Sequence, residues 1–401
     1  MVQKRFDPTA QLKISLTPDC NNNCAICLNE TTRSENGQRT GLSLKVIREL
    51  IDEAATLGMV GTYWTGGEPL LEYENLLSLI EYSCEKGLVP TVVTNGGLIA
   101  ARGNYREMNR RLLQRTGLYD LAPSEIVSSL KTAGLGRIYF SVDSNHNIKG
   151  SSDLEVADSV PTAVVASAVE AFLEEGFGEV HHLEAIGHQL RITATSSGCW
   201  VEPTQKIIDD VITRVGVNPL DERTYGDERG IILVKHLEIS NIGGASELKN
   251  NFLEDRVGEE LFNICCPHFL PRQRAYDGGK YHRDLFVDHD GTVYTCGNHA
   301  YPVGNINHHS LSAIIDGVNS PEPEGMFANS RKVFRTLLLL SENEDVGRRA
   351  VGEALRLSFA QRPEVVQNLR TQCGACKALG TDRRLQDAFL SGFRRCYLQE
   401  S

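Results

Sequence analysis

Between about residues 10 and 245, short β-like runs alternate with longer stretches whose apolar residues recur at helical spacing. KISL (13–16), the middle of VGTYWTGGEPLL (60–71), PTVVTNGG (90–97), RIYFSVDS (137–144), LRITATSS (190–197) and ILVKHLEIS (232–240) read as strands. LSLKVIRELIDEAATLG (42–58) reads as a helix closing on Gly58, a residue suited to the left-handed position just past a helix end. YENLLSLIEYSCEKG (73–87), APSEIVSSLKTAG (122–134) and PTAVVASAVEAFLEEG (161–176) repeat the helical pattern. In the last of these Pro161 is expected at the first helical position, where its fixed φ is already helical. Strands alternating with helices predict a parallel sheet, and parallel sheets bind ligands beyond the carboxyl ends of their strands. The cysteine loop after KISL, then GGEP, TNG and SVDS, all fall at such ends.

The pattern changes after about residue 250. NICCPHFL (263–270) leads into an Arg- and Tyr-rich loop (271–283), expected to shape the substrate site, and then into LFVDHDGTVYTCGN (285–298). That last stretch reads as a hairpin, because an Asp-Gly pair sits between β-branched and aromatic residues. Residues 323–370 look helical, with LLLL (337–340) expected in the core, and CGAC (373–376) and Cys396 follow. The expected division is a first domain over 1–250 and a smaller cysteine-rich domain over 251–401.

Composition narrows the class. With 41% hydrophobic and 23% charged residues the chain is of ordinary globular type. Its start, MVQKRFDPTAQLKISL, has no apolar signal core, and no run approaches a membrane span, so a cytoplasmic location without membrane contact is expected. A net charge of −11 argues against general affinity for nucleic acid. Eleven cysteines in a reducing compartment point to metal ligation rather than to disulfides. Cys84 and Cys199 stand apart and are expected to be buried thiols.

CNNNCAIC places Cys20, Cys24 and Cys27 within eight residues, and no further Cys follows before Cys84. A closed tetrahedral zinc site or a fully ligated cubane takes four protein ligands. Three thiols suggest instead a metal centre with one position left open, while accidental spacing or a zinc site are the plainer alternatives.

Cys20-x3-Cys24-x2-Cys27, followed one helix later by Gly66-Gly67-Glu68-Pro69, resembles the radical S-adenosylmethionine (SAM) enzymes. The resemblance implies a partial (β/α)6 barrel and a [4Fe–4S] cluster on the three cysteines, with SAM on the fourth iron. It also implies reductive cleavage of SAM to a 5′-deoxyadenosyl radical that abstracts hydrogen from a substrate. By the same resemblance Gly66, Gly67, Glu68 and Pro69 would line the site for the SAM ammonium group. Thr94 and Asn95, with Ser141 and Asp143, would sit where members contact the ribose and carboxylate. Ile26 replaces the usual aromatic residue before the third cysteine, and Asn29 lies close behind the loop.

The C-terminal cysteines resemble the SPASM/Twitch extension, an α+β domain that carries auxiliary iron–sulfur clusters. Gly291-x4-Cys296 matches one of its elements, and the implied single auxiliary [4Fe–4S] cluster would be held by Cys266, Cys296, Cys373 and Cys376, with Cys265 and Cys396 as alternates. A structural zinc on the same thiolates is the competing assignment. A fully ligated cluster has no open position and would accept an electron, so that a substrate radical, once deprotonated, is oxidised by two electrons overall. This implies a dehydrogenase-like oxidoreductase. The required base is sought in YDGGKYHRDLFVDHDG, at Asp277, Asp284 or Asp288, with His282 and His289 nearby, whereas Asp290 reads as turn chemistry.

Only about a dozen residues precede the first strand, which favours a small polar metabolite over a leader-bound peptide as the expected substrate. A maturase forming thioether or carbon–carbon crosslinks in a ribosomal peptide, a diol dehydratase, and a non-catalytic metal-binding sensor are the alternatives. The basic stretch REMNRRLLQR (106–115) is a candidate docking face for an acidic flavodoxin-like electron donor, against the plainer reading of a solvated helix face. His181-His182 and His308-His309 are expected at the surface.

Overall fold

The structure is a computed structural model and describes residues 10–24, 27, 41–149, 159–178, 188–195, 201–237, 276–277, 280–281, 284–295, 301–320, 323–339, 354, 357–358 and 378–400. Its frame is one sheet whose centre is six parallel strands in chain order. These are β1 (Gln11–Thr17), β2 (Gly61–Gly66), β3 (Val89–Thr94), β4 (Arg137–Ser141), β7 (Gln189–Thr195) and β10 (Gly230–Leu237). Short strands β5 (Asn147–Ile148) and β6 (Val160–Pro161) pair with each other beside the sheet.

Helices fill the crossovers: α1 (Leu44–Leu57), α2 (Tyr73–Glu85), α3 (Gly103–Met108), α4 (Arg110–Arg115), α5 (Pro123–Thr132), α6 (Thr162–Glu174) and α7 (Val201–Val215). The open sheet of six parallel strands with helices on its outer side is the expected partial (β/α)6 barrel. Each strand turns alternate residues outward under the helices, as Leu12 and Ile14, Trp64, Ile138 and Phe140, Leu190 and Ile192, and Ile232 and Val234 show by their near-complete burial. On α1 the buried stripe Ile47, Leu50, Ile51, Ala54 and Leu57 follows helical spacing. Ser43 caps its start, and Gly58 ends it in the left-handed conformation at φ 83°. Fully burying one such aliphatic side chain is worth about 1.5–3 kcal/mol.

Two expectations need adjusting. Pro161 stands one residue earlier than expected, at the N-cap position, and α6 begins at Thr162. Helix α7 and the antiparallel strands β8 (Asn218–Asp221) and β9 (Thr224–Asp227), which extend the sheet beyond β10, were not among the expected elements.

At the other edge the C-terminal part joins the same sheet. After β11 (Tyr276–Asp277) and β12 (Lys280–Tyr281), β13 (Leu285–Val287) lies parallel to β1, and β14 (Thr292–Tyr294) and β15 (Pro302–Asn305) continue it antiparallel. Gly291 turns the expected hairpin between β13 and β14 at φ 86°. Helices α8 (Leu311–Asn319), α9 (Ala328–Leu339) and α10 (Arg383–Glu400) complete the described C-terminal elements. The seam is polar as well as backbone-paired. Asp284 accepts from Gln11 N at 2.8 Å and pairs with Lys13 Nζ at 2.9 Å, and Ser312 N on α8 donates to Glu53 on α1 at 3.0 Å. No described helix is long and apolar enough to cross a membrane.

Candidate active site at the carboxyl ends of the strands

The end of β2 is fastened to the loop that leads into Cys20. Gly67 N donates to Thr17 O at 2.7 Å, and Glu68 N donates to Asp19 O at 2.8 Å. Only glycine fits here, because a Cβ on Gly67 would lie 1.8 Å from the Asp19 carbonyl oxygen. Gly66 has φ +126°, and a Cβ there would lie 2.5 Å from Thr17 O.

Glu68 is buried at the centre of this junction. Its Oε1 accepts from Thr94 Oγ1 at 2.8 Å and from Leu70 N at 3.2 Å, and its Oε2 accepts from Asn95 N at 2.9 Å. Burial pushes the carboxyl up to about 7, against the opposing pull of those three donors. Pro69 opens the 3-10 turn Pro69–Glu72 that Glu68 caps. Glu68 therefore fixes the ends of β2 and β3 relative to each other.

The polar run between the first two cysteines is a scaffold. Asn95 and Asn21 face each other as an amide pair, with Asn95 Nδ2 donating to Asn21 Oδ1 at 2.8 Å and reaching Cys20 Sγ at 3.9 Å. Asn21 Nδ2 also donates to Tyr105 OH at 3.0 Å. Asn22 Nδ2 donates to His146 O at 3.0 Å, tying the same loop to the end of β4. Asn21, Asn22 and His146 were not singled out from the sequence. Asn is common in loops, and only its burial reveals the positioning role.

At the end of β4, Asp143 is fully buried and accepts from Asn145 N, His146 N and Thr195 N at 2.8–3.1 Å, and its two oxygens lie 2.9 Å from His146 Nδ1. Burial alone would raise this carboxyl, yet His146 and the backbone donors hold it below the usual carboxylate range. Burial alone would lower His146, but Asp143 and then Cys24 hold it well above the usual imidazole value. Ser141 lies one rung lower, paired with Thr193. The structure thus brings together, on adjacent strand ends, Cys20 with Gly66 to Pro69, Thr94 and Asn95, and Ser141 and Asp143, with Cys24 at His146.

Cys20, Cys24 and Cys27 form no disulfide among the described residues and are of intermediate exposure, and Cys27 N donates to Cys24 O at 3.1 Å. Cys20 is pushed up by burial, then by the charges of Glu68 and the neighbouring thiolates. Gathered soft thiolates whose negative charges repel are a donor set suited to iron. Among the described residues no three His, Cys, Asp or Glu side chains converge on one ion. The residues present fit a [4Fe–4S] cluster.

Asp284 holds the seam to β1, and Asp288 Oδ1 accepts from His289 N at 2.8 Å in the hairpin turn. Asp290 O accepts from Asn307 Nδ2 at 2.9 Å in that turn. Ile26, Asn29, His181, His182, Cys199, Cys265, Cys266, His282, Cys296, Cys373 and Cys376, and the side chains of Asp277 and Cys396, lie outside the described residues. His308 and His309 are exposed. Cys84 is exposed too, contrary to the expected burial, because it lies on the outer side of α2 with its thiol 3.2 Å from Gly134 O.

A family model described as the radical SAM superfamily matches residues 14–183, and one described as an iron–sulfur cluster-binding domain, SPASM, matches 280–333. The chain is 33% identical over 146 residues to a GTP 3',8-cyclase of Syntrophomonas wolfei subsp. wolfei, covering 36% of this chain and 37% of that protein. It is 30% identical over 135 residues to a GTP 3',8-cyclase of Desulforamulus reducens, covering 33% and 34%. The match thus spans little more than a third of either curated relative. Streptococcus suis SuiB bound to precursor peptide SuiA aligns at a TM-score of 0.47 with 15% identity, covering 85% of this chain and 74% of that one.

Proposed function

The chain belongs to the radical SAM superfamily and carries a SPASM iron–sulfur cluster-binding domain, and from that premise we propose that it oxidises a small polar metabolite. The observation that carries this reading is the convergence of the cysteine loop with Gly66, Gly67, Glu68, Asn95 and Asp143 above an inner barrel face that is polar rather than apolar. When bound, the cluster on Cys20, Cys24 and Cys27 together with SAM supplies a radical that abstracts hydrogen, and an auxiliary cluster supplies an electron acceptor.

The chain's own residues do the rest. Glu68 and Asn95 hold the cysteine loop against the ends of β2 and β3, and Gly66 and Gly67 let the end of β2 close on the backbone that leads into Cys20. Asp143 fixes His146 beside Cys24. Oxidation of an alcohol carbon releases a proton, for which Asp277, Asp284 and Asp288 are the proposed bases. Cys266, Cys296, Cys373 and Cys376 are the proposed auxiliary ligands. Arg110, Arg111 and Arg115 are exposed, and this basic face is the proposed dock for an acidic electron donor.

The test is anaerobic reconstitution, with iron, sulfide and 5′-deoxyadenosine measured in the wild type and in a Cys20, Cys24, Cys27 triple Ala variant. About eight irons falling to about four, with loss of SAM cleavage, is the expected result for two cubanes. About four falling to none, with zinc retained, would remove the electron acceptor and with it the oxidation.

A further inference from the structure

The inner face of the barrel carries a charged cluster that the cysteine loop and its scaffold do not use. Lys13 on β1, Tyr63 on β2, Tyr139 on β4, Arg191 on β7 and Lys235 on β10 alternate with the residues buried beneath the helices, so all five point inward. Arg191 Cζ lies 4.2 Å from the Tyr139 ring centre. Tyr139 meets Tyr63 edge-on at 5.9 Å, and Lys13 Nζ lies 5.3 Å from the Tyr63 ring.

The charges do not balance. Among the described residues three cations face one carboxylate, Asp284, which pairs with Lys13. Among the described residues neither the Arg191 nor the Lys235 side chain has a hydrogen bond or ion pair, although Arg191 stacks on Tyr139. Lys235 is held below its usual value by burial, then by Arg191 and Lys13. Lys13 is linked across the barrel to Arg191 through the Tyr63–Tyr139 pair, and Lys235 pairs in register with Thr193, two residues along β7 from Arg191. Strands of a parallel sheet are ordinarily apolar runs, and half-burying Lys13 and Arg191 in two of them costs stability unless something compensates, while Lys235 is exposed near the end of β10.

The position is informative. Ser141, Thr193 and Lys235 share one rung, and Arg191 lies two residues below it on β7. Thr195, two residues above that rung, donates to Asp143. The cations therefore line the wall just below the carboxyl ends that hold the cysteine loop. A guanidinium held over an aromatic ring can still direct N–H groups to two oxygens of one anion, and two ammonium groups add point charge.

We propose that Arg191, Lys235 and Lys13 form a receptor for an oxyanion of the substrate, a phosphate or a carboxylate, and so anchor an anionic metabolite beneath the cysteine loop. This rests on the reading of the chain as a radical SAM enzyme whose substrate enters the barrel. Three of the four charges in the cluster are positive, and the net excess matches a doubly charged group.

The test uses the full-length reconstituted protein. Inorganic phosphate and malonate are titrated separately at constant ionic strength and followed by calorimetry, in the wild type and in Arg191→Gln, Arg191→Lys, Lys235→Gln and the surface control Lys206→Gln. Binding to the wild type that weakens about tenfold or more in Arg191→Gln and Lys235→Gln, less in Arg191→Lys and not in Lys206→Gln, is the expected result. Response to phosphate alone assigns a phosphate group, and response to malonate alone assigns a carboxylate. No binding of either anion by the wild type, or equal binding by Arg191→Lys and the two Gln variants, overturns the receptor. Production of 5′-deoxyadenosine by the wild type, measured alongside, separates that failure from failure of the radical SAM reading.

Discussion

Oε2 of Glu68 accepts the backbone N–H of Asn95 at 2.9 Å, and this one contact joins the end of β2 to the end of β3 beside the first cysteine. The side chain of Asn95 then reaches Cys20 Sγ. A carboxyl that the family resemblance assigns to cosubstrate binding is thus already engaged in holding the cysteine loop in place.

Glu68 makes the metal-free protein pH-sensitive. Its carboxyl is raised from about 4.5 to about 7 by burial, so the folded state holds a proton that the unfolded chain releases. Its contribution is complete below about 4.5 and is lost as the pH rises to about 7, a change on the order of 3 kcal/mol. Glu68→Gln should lack this slope, costing roughly 1–3 kcal/mol below about pH 4.5, where its amide sets a donor against donors, and little or nothing above about pH 7. Urea unfolding of both proteins at several pH values checks this, and parallel profiles would refute it.

Asp143 and His146 titrate with the opposite consequence for the acid. The depressed Asp143 stabilises above the ordinary carboxylate range and loses that effect as pH falls through its folded value. The raised His146 stabilises below the ordinary imidazole value and loses that effect as pH rises through its folded value. Asp143→Asn should cost about 3 kcal/mol between those limits, since a buried imidazolium loses its counter-charge. The cost should shrink at high pH, where His146 is neutral in either protein. Denaturation curves at neutral and alkaline pH are the measurement.

Gly67→Ala should be among the most damaging single-methyl changes. Its Cβ would collide with the Asp19 carbonyl oxygen, forcing β2 away from the loop that carries Cys20. A loss of about 3 kcal/mol or more is expected, with a lower iron content after reconstitution. Chemical denaturation with iron analysis reads both, and an unchanged iron content would show that the junction does not position the loop.

Asp284→Asn separates a positioning residue from a base. Asn can still accept from Gln11 N, and the Lys13 pair is about a third exposed, so stability should change by less than about 1 kcal/mol. Removing a base should instead lower kcat by about 100-fold or more and flatten one limb of its pH profile. If kcat holds and only KM rises, Asp284 acts through Lys13.

Period and punctuation in the chain were enough for most strands and helices of the first domain, although α7, β8 and β9 were missed and the six-strand barrel was implied by the family resemblance. Helix α1 with Ser43 and Gly58, or β4 with RIYFS, encodes its own buried face locally. The cysteine spacing with the glycine pair was likewise local, since each residue acts within one turn of chain. Tertiary structure alone decided what those residues meet. The Asn21–Asn95 pair spans 74 residues, Asn22 reaches His146 O across 124, and Asp284 closes on Gln11 across 273. The inner cations had a trace in sequence, as Lys13, Arg191 and Lys235 interrupt strands that should read as apolar. Their common face became visible only when curvature brought distant strands around one space, because charge adds through space and not along the chain.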